Sequence, residues 1–307
     1  MKVNFKDKQD FKKIKKISLI KYDFVIIGSG PAAVTLLNKL TLREGNNPKI
    51  LIIEEGDYFK KRHKKVLSKH IKIKLKSRAF TVGGTSSIWS NVSSYFEEFE
   101  MQSRWKNKQL NLWPLQHKLL LQEYTQLNKK YKFSLNKLKK RNFNIPFEVR
   151  PFIGSVKPIN FKKFINTNEI DLIYNCRISS IEETAKIITA YSFNDKFKFN
   201  AKKIIVCCGG IESINLIQNS LSQKKLKNIK NQDKIGKYFM DHPKFNLGYL
   251  KYPKLEIINK LELIKKNNLI SFYGVSLKKS IQRKNNLLNS YVRFEKSQNR
   301  LFSSLDK

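Results

Sequence analysis

Three cysteines in 307 residues, Cys176, Cys207 and Cys208, leave no basis for a disulfide framework. Two of them are adjacent inside an apolar run, and none is spaced as a metal ligand with His63, His70, His117 or His242. This sparse cysteine usage fits a reducing compartment, and the expected location is cytoplasmic. No apolar run reaches about 18 residues, so no transmembrane helix is expected. The basic first 18 residues lack the apolar core and small-residue cleavage site of a secretory signal. Acidic residues are also scarce, 24 against 62 Lys and Arg, which gives a net charge of +38. Such a charge fits a nucleic acid, an anionic membrane or an anionic glycan as partner. It also fits a composition in which Lys, Asn and Ile are abundant together. The lysines are spread along the chain without a base-reading motif, which favours the second explanation and makes nucleic acid an unexpected partner.

What is present is enough for a folded core: 40% hydrophobic residues, 12% of the chain aromatic. Residues 1–20 read as a basic helix or arm. Residues 22–27 (YDFVII) form a short β-branched run typical of a buried parallel strand. A glycine turn, helical spacing over 34–42 and a second buried strand at 49–53 (KILII) follow, which is a right-handed βαβ unit. Residues 78–91 are a Gly/Ser/Thr loop, and a helix is expected from about 116 to 130. Short strands are expected over 171–201, then a buried strand at 203–208 (KIIVCC) and a helix over 211–219. Beyond Gly236 the pattern changes to alternating strands, at 245–252 and 269–277.

Gly28-x-Gly30-x-x-Ala33, after a strand and opening a helix, is a dinucleotide fingerprint. Its first glycine permits the turn, its second admits a pyrophosphate, and its small third residue lets helix and strand pack closely. The helix N-terminus adds free N–H groups and a favourable dipole. Glu54, at the end of the next strand, stands where an acid binds ribose hydroxyls. A glycine turn in an unrelated α/β domain would share the turn alone.

Gly28-Ser29-Gly30-Pro31-Ala32-Ala33 with Ile53-Glu54-Glu55-Gly56-Asp57 resembles the opening of the glucose–methanol–choline flavoproteins. Val82-Gly83-Gly84-Thr85-Ser86-Ser87-Ile88-Trp89 is similar to their second flavin segment, closest to the pyranose oxidase and sugar dehydrogenase branches. Trp113-Pro114-Leu115 with Tyr124, the run Ile205 to Ser213 around Gly209-Gly210, and Ile235-Gly236 leading to Asp241-His242-Pro243 resemble further elements in family order.

The resemblance implies an α/β fold: a Rossmann-like, mainly parallel FAD-binding domain over residues 1–236, then the start of an antiparallel α+β substrate domain over 237–307. It implies FAD as cofactor and oxidation of CH–OH groups of alcohols or sugars by hydride transfer to the flavin. Gly83 and Gly84 would bring backbone amides to the cofactor, and Thr85 and Ser86 would offer hydroxyls. Ile178 lies where the family holds adenine by backbone groups, although a plain core strand reads equally well there. Gly209 would end a strand beside the cofactor. Ile88 replaces the histidine that links flavin covalently in some sugar oxidases, so the FAD is expected to be noncovalent. No histidine here matches the family's C-terminal catalytic base, and His242 reads as structural. The expectation is therefore a truncated product, a fragment or one half of a split enzyme, inactive alone. A missing C-terminal half or second polypeptide would then be a partner, beside the small-molecule substrate. The rival expectation is a basic nucleic-acid- or glycan-binding protein on a degenerate flavin scaffold.

Overall fold

The computed structural model describes residues 1–43, 47–63, 75–89, 92–101, 115–131, 147–184, 186–192, 195–237, 239–240, 245–249, 261, 263–266 and 269–295. His70, His242, Trp113-Pro114 and the Asp241-His242-Pro243 part of the junction element lie outside the described residues. The chain opens with β1 (Lys2–Asn4), α1 (Phe11–Ser18), β2 (Lys21–Ile27), α2 (Pro31–Arg43) and β3 (Ile50–Ile53). Next come α3 (Glu98–Met101), α4 (His117–Tyr131), β4 (Glu148–Ser155), β5 (Asp171–Tyr174), β6 (Ile178–Glu182), β7 (Ile187–Ser192) and β8 (Asp195–Val206). The described elements end with α5 (Gly209–Ser222), β9 (Ile264–Lys266), β10 (Leu269–Ser276) and α6 (Lys279–Lys284).

Seven strands form one sheet in the order β1-β5-β3-β2-β8-β7-β6, and three form another in the order β4-β10-β9. The pairs from β1 to β8 are parallel; β8-β7 and β7-β6 are antiparallel, as is the whole three-stranded sheet. This is the α/β class expected, a mainly parallel sheet plus an antiparallel one.

The unbroken apolar run of β2 follows from burial on both faces of the sheet. Val25 and Ile27 point to one side, into a core shared with Ile14 and Ile17 of α1 and Leu216 of α5. Phe24 and Ile26 point to the other, where Ala33 and Leu37 of α2 cover them. β2 leads through α2 to β3 on one flank. β8 leads into α5, whose Ser220 hydroxyl accepts from the Ile181 N–H on the other flank. The carboxyl ends of β2 and β8 are thus a topological switch point, where doubly wound sheets bind their ligands.

Two expectations differ from the fold. The basic arm is part strand: Lys2–Asn4 extends the sheet beside β5, and Phe11–Ser18 buries Ile14 and Ile17. Residues 245–249 form no strand, and Phe245, Leu247 and Tyr249 are all exposed. An alternating pattern becomes a strand only when a neighbour pairs its backbone, and among the described residues none does.

In space the chain divides into two compact units, 1–89 with 158–244 and 90–157 with 245–307. The division is discontinuous along the chain. In the second unit β4 pairs with β10 over its whole length, and Phe152 stacks on Phe272 with ring centroids 4.8 Å apart. Arg150 donates to both oxygens of Glu100, at 3.1 and 2.5 Å, and Asn289 donates to the same carboxylate at 2.9 Å. Tyr124 of α4 packs against Tyr95, centroids 5.5 Å apart. Among the described residues no helix is long and apolar enough to cross a membrane.

Candidate cofactor-binding site

The first glycine turn is set by its strand. Gly28 donates to the Ile53 carbonyl at 2.7 Å, and Cys207 donates to the Ile27 carbonyl at 2.7 Å, so β2 is held on both sides at its last residues. Gly28 has φ +94°, and a Cβ there would stand 2.5 Å from the Cys207 carbonyl oxygen. Only glycine meets both conditions without strain. A Cβ on Gly30, by contrast, would meet no atom within 4 Å. Behind it, Pro31 opens α2, where its missing N–H and fixed φ are well suited. Ala32 follows it in the first turn, and Ala33 is fully buried against the sheet.

Ser29, fully buried, ties three segments together. Its N–H and its hydroxyl both donate to one oxygen of Glu54, at 2.9 and 2.7 Å. Its oxygen accepts from the Gly83 N–H at 3.0 Å, and the other Glu54 oxygen accepts from the Gly56 N–H at 2.7 Å. The two glycine segments, expected separately from the sequence, are therefore joined through one hydroxyl and one carboxylate. Gly84 completes the contact, because a Cβ on it would stand 3.2 Å from the Gly30 Cα. Ser29 lies at a variable position of the glycine pattern, so nothing in the motif marks its role.

Glu54 has three protein donors on a carboxylate with about four acceptor positions. Burial pushes its pKa up, opposed by the hydrogen bonds from Ser29 and Gly56. Its first duty is thus to hold the turn. Ser86 is similarly engaged: its hydroxyl donates to the Gly83 carbonyl at 2.6 Å and accepts from the Phe161 N–H at 3.2 Å. Thr85 accepts from the Ala79 N–H at 3.4 Å. Gly209 opens α5 at φ +77° with open space over its Cα, at the end of the strand beside β2. Ile178 opens β6 and pairs with Ala190 in the antiparallel part of the sheet, its side chain in the core. Two residues earlier, Cys176 donates its N–H to the Glu54 carbonyl at 2.9 Å.

Burial raises the thiol pKa of Cys176 well up and that of Cys208 to about 12. These are core thiols, protonated at neutral pH. His63 donates from Nδ1 to the Arg78 carbonyl, and His117 from Nε2 to the Phe96 carbonyl, each at 2.8 Å.

A dinucleotide fits these residues. Open space faces Gly30 and Gly209, the helices α2 and α5 start at the switch point, and two polar atoms of the second glycine segment, Arg78 Nη1 and Ser87 Oγ, are buried without a partner.

No family model and no curated protein matches the chain. Solved structures that match part of the chain include formate oxidase of Aspergillus oryzae RIB40, a fungal aryl-alcohol oxidase and pyridoxine 4-oxidase from Mesorbium loti. Identities are 15%, 13% and 14%, each with a TM-score of 0.41 over 65% of this chain. The matched part spans about half of each neighbour, 47%, 48% and 52% of its length.

Proposed function

We propose that the seven-stranded unit binds FAD noncovalently, and that the chain serves in FAD-dependent oxidation of the CH–OH group of an alcohol or sugar. The observation that carries this reading is the junction of the two glycine segments through Ser29 and Glu54 at the carboxyl ends of β2 and β8. Bound flavin would supply the hydride acceptor. The protein's part is to seat the pyrophosphate at the Gly28–Ala33 turn and the first turn of α2, since a helix N-terminus offers N–H groups and a dipole that favours negative charge. Gly83 and Gly84 would then border the cofactor from the second segment. Substrate binding is assigned to the antiparallel unit.

No catalytic base is assigned. The ring hydrogen bonds of His63 and His117 to backbone carbonyls support leaving both out. Ile88, in place of a linking histidine, supports noncovalent attachment. After loading with FAD and acid precipitation, all yellow colour should appear in the supernatant. Flavin retained by the washed pellet would refute the noncovalent reading.

A further inference from the structure

Two polar atoms of the second glycine segment lack partners although both are shut off from solvent: Nη1 of Arg78 and Oγ of Ser87. Leaving a buried donor unpaired is costly, and more so when it is charged. Folded proteins carry few such atoms, and each calls for a reason.

Arg78 begins the segment that closes on the first glycine turn, since the Gly83 N–H donates to Ser29 and Gly84 abuts Gly30. Its guanidinium reaches to the first turn of α5, where Nη2 stands 3.6 Å from Oε1 of Glu212. That helix leaves β8 directly, just as α2 leaves β2. Arg78 therefore bridges the second glycine segment to the far side of the switch point. The long contact with Glu212 occupies one nitrogen and leaves Nη1 unused. Guanidinium carries only donors and stays charged at any ordinary pH, so the missing partner is an acceptor. An anionic oxygen makes the strongest such bond.

We propose that Arg78 is a cofactor-binding residue, its Nη1 donating to an anionic oxygen of the bound dinucleotide. The inference rests on the FAD reading above but adds a residue that lies outside the glycine motifs. The oxygen has two sources within one ligand, the pyrophosphate and the flavin ring. ADP, which carries a pyrophosphate and no ring, separates them.

The experiment is calorimetric titration of the full chain with ADP and with FAD, using wild type, Arg78→Met and Glu212→Gln. The double variant Arg78→Gln/Glu212→Gln leaves no unpaired carboxylate and covers the case in which Arg78→Met does not fold. Thermal unfolding is recorded for each. The expected result is a loss of at least tenfold in both affinities whenever Arg78 is replaced, with Glu212→Gln within about threefold of wild type. Loss for FAD with ADP unchanged also supports the proposal and assigns the oxygen to the ring. Folded Arg78 variants that bind both ligands as wild type does would overturn it and leave the FAD reading standing. A wild type that binds neither ligand would overturn the reading itself and the inference with it.

Discussion

Gly28→Ala should lower the stability of the folded chain by about 3–5 kcal/mol, whereas Gly30→Ala should change it by less than about 1 kcal/mol. At Gly28 two penalties combine. A side chain at φ +94° is strained, by about 1–3 kcal/mol for a residue held in a sparsely populated region. The added methyl would also stand 2.5 Å from the Cys207 carbonyl oxygen, and forcing extra volume into packed structure costs about 1–3 kcal/mol. Neither penalty relaxes easily, because that backbone is the paired end of the two central strands. At Gly30 the methyl would enter open space, so stability is nearly untouched. If that space is where the pyrophosphate lies, Gly30→Ala should instead lower FAD affinity by tenfold or more. Urea unfolding followed by circular dichroism gives the first comparison, and FAD titration the second. Equal stability losses for the two variants would show that the close approach at Gly28 is not what shapes this turn.

Glu54→Ala should cost about 2–4 kcal/mol, and Glu55→Ala less than about 1 kcal/mol. Removing the Glu54 carboxylate leaves the Ser29 N–H and hydroxyl and the Gly56 N–H without an acceptor in a buried place, and unsatisfied buried groups cost about 1–3 kcal/mol each before relaxation. Glu55 makes a long contact with Arg177, 3.5 Å, between partly exposed groups, and such pairs contribute little. The effect of Glu54 carries a pH signature. Burial raises its folded pKa above 4.5, the ordinary value. Its contribution is therefore complete below that value and declines as pH rises through the raised one. The stability gap between wild type and Glu54→Gln should narrow as pH rises above the ordinary carboxylate range. A gap that widens would mean that the three donors outweigh burial.

The βαβ opening was legible because its rules are local. A two-faced strand has to be a continuous apolar run, and the turn after it has to be glycine for the reason just given at Gly28. The strand that follows starts one residue from where the pattern puts it, and the helix starts three residues before its apolar spacing and ends one after it. Other features were illegible because their cause lies far away in the chain. Lys2–Asn4 is a strand only because β5, about 170 residues later, offers an edge. Its three residues carry no pattern of their own. The alternation of Phe245, Leu247 and Tyr249 had the reverse fate, a pattern that joins no strand among the described residues. In the site, Glu54 was visible as an acid at a strand end, but its grip on Ser29 depends on a three-dimensional closure that spacing does not encode. Arg78 was invisible for the same reason: its significance is a buried nitrogen lacking an acceptor, a property of the fold.

The central claim is that the paired glycine segments form a dinucleotide site. It is tested most directly by titrating flavin-free protein with FAD and, separately, with FMN, following the quenching of flavin fluorescence. FMN carries the same ring but lacks the adenylate half and the pyrophosphate that the Gly28–Ala33 turn and the α2 N-terminus are proposed to hold. The account predicts saturable FAD binding at least a hundredfold tighter than FMN binding, with ADP competing against FAD. Equal affinity for the two flavins, or no saturable binding of FAD, would contradict it.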